Sequence, residues 1–125
     1  MALLYGEVIL ERFRHPRRYG EIPAPDAAFE DVNPLCGDRI RLELRLADGE
    51  VEAARFRGDA CAIAMASADL LAEMIEGRPI REAAAIRREA LLAALRASIR
   101  PSRLGCVTLP LDVLRKAFAG ARGAA

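Results

Sequence analysis

The sequence predicts an α+β domain with a small antiparallel sheet packed on one face by helices. Three observations carry that expectation. Helical spacing opens the chain, with Leu4, Tyr5, Val8, Ile9 and Phe13 apolar. Two segments of alternating character then meet at Asp48-Gly49, a strong hairpin signal. From Ala60 the apolar period becomes helical again and stays so. Strands grouped ahead of a run of helices point to two layers rather than to an alternating parallel sheet.

The opening helix ends where His15-Pro16 and then Gly20, Pro23 and Pro25 interrupt it, leaving an irregular connector. A short extended segment is expected at 27–32. The stretch NPLCGDRI, residues 33–40, makes a turn framed by Pro34 and Gly37. After it, Ile40, Leu42, Leu44 and Leu46 alternate with Arg39, Arg41, Glu43 and Arg45, which describes a half-buried strand with one wet face. Residues 51–57 return as its hairpin partner. Ile63, Ala66, Leu70, Leu71, Met74 and Ile75 form one helical stripe, with Asp59 placed to cap its start and Gly77 and Pro79 closing it. Shorter helices are expected at 80–86 and 89–97 before Pro101 breaks the pattern. The last helix carries Val107, Leu111, Leu114 and Phe118, and admits Pro110 only in its first turn.

With 125 residues the chain is expected to form one domain, 1–125, around one modest core. No apolar run reaches membrane-spanning length. The opening MALLYGEVILERFRHPRR lacks the basic lead, long apolar stretch and cleavage site of a signal peptide. These features predict a cytoplasmic chain with no membrane partner. The formal net charge is +1 and the basic residues are spread along the chain, so nucleic acid is not an expected partner. Three cysteines cannot all pair within one chain, and in a cytoplasmic chain they are expected as thiols.

Each cysteine falls at the edge of an element. Cys36 sits in the turn before the hairpin, Cys61 in the first turn of the long helix, and Cys106 just before the last helix. Helix N-termini favour thiolate over thiol through their free N–H groups and dipole. A buried cysteine used as packing is the alternative for any one of them alone. The pairing of Cys36 with Asp38 leaves open a metal site, a nucleophile beside an acid, or a plain loop. Together Cys36, Asp38, Cys61 and Cys106 offer three sulfurs and one oxygen, the number a tetrahedral zinc needs. Three thiolates and a carboxylate around zinc leave the centre net negative, and Arg103 is placed in sequence to offset that charge. The spacings of 25 and 45 residues between successive cysteines form no zinc-knuckle pattern.

The segments NPLCGD, VEAARFRGDACAIAMASADLLAEMIEGRPIREA and RLGCVTLPLDVLRKAF resemble the U-type iron–sulfur cluster assembly proteins, the family of IscU, SufU and the N-terminal domain of NifU. The likeness runs from YGEVILERFRHPRRYGEI to the last helix, and three cysteine contexts match in order. It implies a compact α+β fold and a site made by Cys36, Asp38, Cys61 and Cys106. That site would bind zinc or a transient [2Fe–2S] cluster and take sulfur from a cysteine desulfurase. Arg103, three before the third cysteine, and NPLCGD itself are similar to SufU. Gly105 stands where IscU-type members carry a histidine, and RASIRPSRLGC replaces their chaperone-docking stretch. The spacing between Cys61 and Cys106 is too short for the insertion usual in SufU. His15, the one histidine, matches no ligand position.

The resemblance implies two functions. The first is a scaffold that assembles a [2Fe–2S] cluster and transfers it to apo iron–sulfur recipient proteins. The alternative is a zinc-dependent sulfur acceptor of SufU type that stimulates the desulfurase without holding a cluster. Both describe a scaffold or sulfur-acceptor protein rather than a stand-alone enzyme. Cys36, in the exposed turn, is the expected sulfur acceptor, with Cys106 as its rival.

Overall fold

The structure, a computed structural model, describes residues 6–121. Helix α1, Gly6–Arg14, is followed by strands β1, Ala27–Val32, β2, Arg39–Ala47, and β3, Glu50–Asp59. Helices α2, Ala62–Ile75, α3, Ile80–Ala84, α4, Arg88–Leu95, and α5, Leu104–Gly120, complete the chain, with a 3₁₀ turn at Pro101–Arg103 before α5. Leu4 and Tyr5 of the expected first helix lie outside the described residues.

The three strands form one antiparallel sheet in the order β1-β2-β3. Asp48 and Gly49 close the β2–β3 hairpin with φ of 54° and 76°. Two successive positive φ angles match the twist of the flanking strands, and Asp-Gly accepts them at low cost. Ile40, Leu42 and Leu44 are fully buried on the face covered by α2 and α5. The alternation read from the sequence therefore points its apolar side at the helices, as a half-buried strand must.

The outer edge of β3 is covered by chain rather than left open. Gly20 donates its N–H to the Phe56 carbonyl at 2.9 Å, and Phe56 donates to the Arg18 carbonyl at 3.0 Å. Further along, Val51 donates to the Arg78 carbonyl at 2.9 Å and accepts from Gly77 at 2.7 Å. The irregular connector after α1 is thus an edge cover, which blocks pairing with another chain there. It is fixed to α2 by Asp69, which is fully buried. Asp69 accepts from the Arg12 guanidinium at 2.9 Å and from the Arg17 and Arg18 N–H groups at 2.8 and 2.7 Å. A buried carboxylate requires this degree of satisfaction.

Helix α2 is buried on nearly all sides, and its alanines allow α1, α4, α5 and the sheet to approach closely. Two expectations about helix ends need correction. Asp59 does not cap α2, because β3 extends to it and pairs it with Arg39. Cys61 is the cap instead, its sulfur accepting from the Ala64 N–H at 3.5 Å. Pro110 does not lie in a first turn either, because α5 starts at Leu104 and carries Pro110 within it. Its missing N–H removes the bond to the Cys106 carbonyl four residues back. Burial of Val107, Leu109, Pro110 and Leu111 against the core offsets that loss.

No helix among the described residues is long and apolar enough to cross a membrane.

Candidate metal centre

Three elements deliver the site. The loop between β1 and β2 carries Cys36 and Asp38, the start of α2 carries Cys61, and the first turn of α5 carries Cys106. Strand register explains the convergence. Asp38 directly precedes β2, and Arg39 pairs with Asp59 at the end of β3, two residues before Cys61. Loop and helix start therefore emerge side by side at one end of the sheet. Helix α5 packs across β1 and β2 and brings Cys106 from the other side.

One ligand atom each from Cys36, Asp38 and Cys106 lies within 4.8 Å of the others. The Cys61 sulfur is not within that distance of all three, yet it belongs to the same cluster. Asp38 Oδ1 accepts the Cys61 N–H at 3.1 Å, and the Cys61 thiol is close enough to Cys106 to help raise its pKa. The Arg103 guanidinium lies against Cys61 and Cys106, whose sulfurs raise its already high pKa. All five residues singled out in the sequence thus meet at one place. His15 is exposed, in the connector after α1 and remote in sequence from all of them.

Exposure differs sharply within the cluster. Cys36 is exposed, Cys61 is half-buried and Cys106 is 4% exposed. All three are free thiols. Burial, more than its Cys61 neighbour, pushes the Cys106 thiol up to about 12, and the Arg103 guanidinium only partly opposes this. Burial therefore opposes at Cys106 the thiolate that a helix start favours.

The cluster suits a cation. Asp38 is 7% exposed, and its Oδ2 is buried without a hydrogen-bond partner among the described residues. A buried acceptor with no donor is costly. Three sulfurs and a carboxylate oxygen are donors for zinc or iron. Cys36, Asp38, Cys61 and Cys106 would hold the ion, with Arg103 against two of the sulfurs.

Sequence reading missed one residue of the site, Asn33. Its Oδ1 accepts the Leu35 N–H at 3.0 Å, and its carbonyl accepts from Gly37 at 2.7 Å and Cys36 at 3.3 Å. The signal was present in Asn33-Pro34, since asparagine bonds to backbone two residues on and favours turn initiation before proline.

Comparison with known proteins gives the geometry a context. Residues 4–123 match the model of the NifU-like N terminal domain. The chain is 37% identical to the bifunctional protein NifU/MnmA of Rubrobacter xylanophilus, over 91% of this chain but 24% of that protein. It is 32% identical to the iron–sulfur cluster assembly scaffold protein IscU 1 of Archaeoglobus fulgidus, covering 92% of this chain and 74% of that one. It is 33% identical to the zinc-dependent sulfurtransferase SufU of Bacillus subtilis, covering 96% and 92%. That last alignment runs over 141 residues although this chain has 125, so SufU carries inserted residues that this chain lacks. In fold, the crystal structure of FiSufU from Fervidobacterium islandicum superposes with a TM-score of 0.78 at 24% identity, over 90% of this chain and 95% of that one. On the match of its whole described length, the chain belongs to the NifU-like N-terminal domain family.

Proposed function

We propose that this protein is an iron–sulfur cluster assembly scaffold. It takes sulfur from a cysteine desulfurase, builds a [2Fe–2S] cluster on Cys36, Asp38, Cys61 and Cys106, and passes it to apo iron–sulfur proteins. The observation that carries the proposal is the convergence of Cys36, Asp38 and Cys106 within 4.8 Å, with Cys61 bonded to Asp38 and beside Cys106. Iron and sulfide require soft thiolates. A carboxylate in place of a fourth thiolate leaves one harder, more exchangeable position, which suits cargo that must leave. Similarity to the Archaeoglobus scaffold supports the reading.

Sulfur arrives by exchange at Cys36. Its thiolate attacks the terminal sulfur of the donor's cysteine persulfide. A new S–S bond forms on Cys36 as the old one breaks, and the donor's cysteine leaves as a thiolate. Exposure supports Cys36 in this role, because a partner's persulfide must come into contact with the acceptor. Cys106 is the rival, but it is nearly enclosed. Arg103 supplies positive charge where thiolates accumulate. Cys36, Asp38, Cys61 and Cys106 would hold zinc, which would keep the cysteines as thiolates.

A second reading has its own support. Arg103 against Cys61 and Cys106, together with the Bacillus sulfurtransferase likeness, favours a zinc-dependent sulfur acceptor that never holds a cluster. Anaerobic reconstitution with iron and sulfide, followed by visible absorption and metal analysis, separates the two. A coloured species with equal iron and sulfide is expected. A colourless protein that retains zinc and still stimulates a desulfurase would replace the first reading by the second.

A further inference from the structure

We infer that Asn33 is a positioning residue that sets the loop of Cys36 and Asp38 against the helix of Cys106, and that Gly105 is glycine to seat it. The inference rests on the site reading above. Between residues 34 and 38, every residue except Pro34 bonds to Asn33. Its N–H donates to the Asp38 carbonyl at 2.8 Å, its carbonyl accepts from Cys36 and Gly37, and its Oδ1 accepts from Leu35. One residue closes the loop from both ends.

The other end of the same side chain meets α5. A Cβ added at Gly105 would stand 3.2 Å from Asn33 Nδ2. The Leu35 bond identifies the oxygen of the amide, so the nitrogen must be the atom facing α5. The Asn33 amide, on the loop carrying two ligands, thus fills the space beside the residue immediately before the third. Glycine is a poor helix former, and position 105 does not have the positive φ that would demand it. Room for the Asn33 amide is what glycine supplies there. A side chain at 105 would have to displace the Asn33 amide, and that amide cannot shift without straining its bond from the Leu35 N–H. The separation between the Cys36 and Cys106 sulfurs is thereby held by a residue that binds no metal itself.

A double-mutant cycle on the full chain tests this. Zinc affinity by chelator competition and hydrogen exchange of the metal-free 33–38 amides would be measured for wild type, Asn33→Ala, Asn33→Asp, Gly105→Ala and the double alanine variant. Asn33→Ala is expected to weaken zinc by about 10–100-fold, the usual range for residues that orient ligands, and to speed exchange at Leu35, whose N–H loses its acceptor. Asn33→Asp retains the acceptor for Leu35 and is expected to restore protection of that amide. Gly105→Ala is expected to weaken zinc in the wild-type background but to add nothing in Asn33→Ala, since the group it would meet is gone. Thermal unfolding of each variant identifies any that fails to fold. Additive effects of the two alanines, or unchanged exchange in a folded Asn33→Ala, would overturn the inference. Should wild type bind no zinc, the site reading fails, while the exchange data still decide the role of Asn33.

Discussion

Asp38 Oδ1 accepts the backbone N–H of Cys61 at 3.1 Å, tying the loop of Cys36 to the start of α2. The same carboxylate keeps its second oxygen buried and without a partner among the described residues. Asp38 thus uses one oxygen to hold the site together and leaves the other free for a ligand. Its removal has two separable effects, and substitutions there must be chosen to tell them apart.

Asp38→Asn preserves an oxygen for the Cys61 N–H while removing the charge, and Asp38→Ala removes both. The expected outcome for each is a longer-lived [2Fe–2S] cluster and slower transfer to an apo-ferredoxin, with Asp38→Asn the cleaner case. The rationale is that the carboxylate makes the centre exchangeable. Timing cluster decay and transfer side by side checks this. Faster decay in Asp38→Asn would make Asp38 a plain holding ligand.

The purified protein is expected to bind about one zinc per chain, as a single four-ligand site requires. Cys36→Ser, Cys61→Ser and Cys106→Ser should each lose most of it by metal analysis. Stoichiometric zinc in all three variants would be incompatible with the assigned ligands.

Cys36 is expected to take the first sulfur. Incubating the protein with desulfurase and cysteine, trapping persulfides by alkylation and mapping peptides by mass spectrometry identifies the acceptor. Label on Cys106 that persists in Cys36→Ser would move the acceptor to α5. Exposure makes the opposite outcome the expected one, because Cys106 is enclosed and Cys36 is open.

Acid sensitivity should reveal the outer face of the sheet. Burial alone would raise the Glu43 pKa, but bonds from Arg41, the Ile22 N–H and Arg57 outweigh it and hold the carboxyl below its ordinary value. A depressed folded-state pKa contributes stability above the unfolded value, near 4.5, that is lost as pH falls through the folded one. Glu43→Gln should cost about 2 kcal/mol at pH 7, the scale of a lost charged hydrogen bond. Its melting temperature should also fall less than that of wild type between pH 5 and 3. Parallel wild-type and variant curves over that range would show that Glu43 contributes nothing to the acid response.

Much of the fold was legible because its signals are local. Asp48-Gly49 specifies a hairpin by backbone conformation alone, and the alternation from Arg39 to Leu46 specifies which face is buried. Convergence of the cysteines was legible only from residue type and order, and Arg103 only as a neighbour in sequence. The failures came where tertiary pairing overrides local preference. Asp59 is a good capping residue, yet its pairing with Arg39 extends the strand and shifts the cap to Cys61. Pro110 would start a helix in isolation, but the turn at Pro101–Arg103 starts α5 earlier and the core holds the proline inside. Asn33 was missed because its role lies in backbone bonds and in its approach to a glycine remote in sequence.

Pro110 has a consequence for how Cys106 is held. With no amide hydrogen to offer the Cys106 carbonyl, it leaves the leading turn of α5 joined to the rest by one rung fewer. Helices fray from their ends, and a missing rung sets where fraying stops cheaply. The turn bearing Cys106 therefore relies on packing, with Val107 buried and its carbonyl accepting the Ser67 hydroxyl at 2.8 Å, while Val113, Leu114 and Ala117 seat the body of α5 in the core.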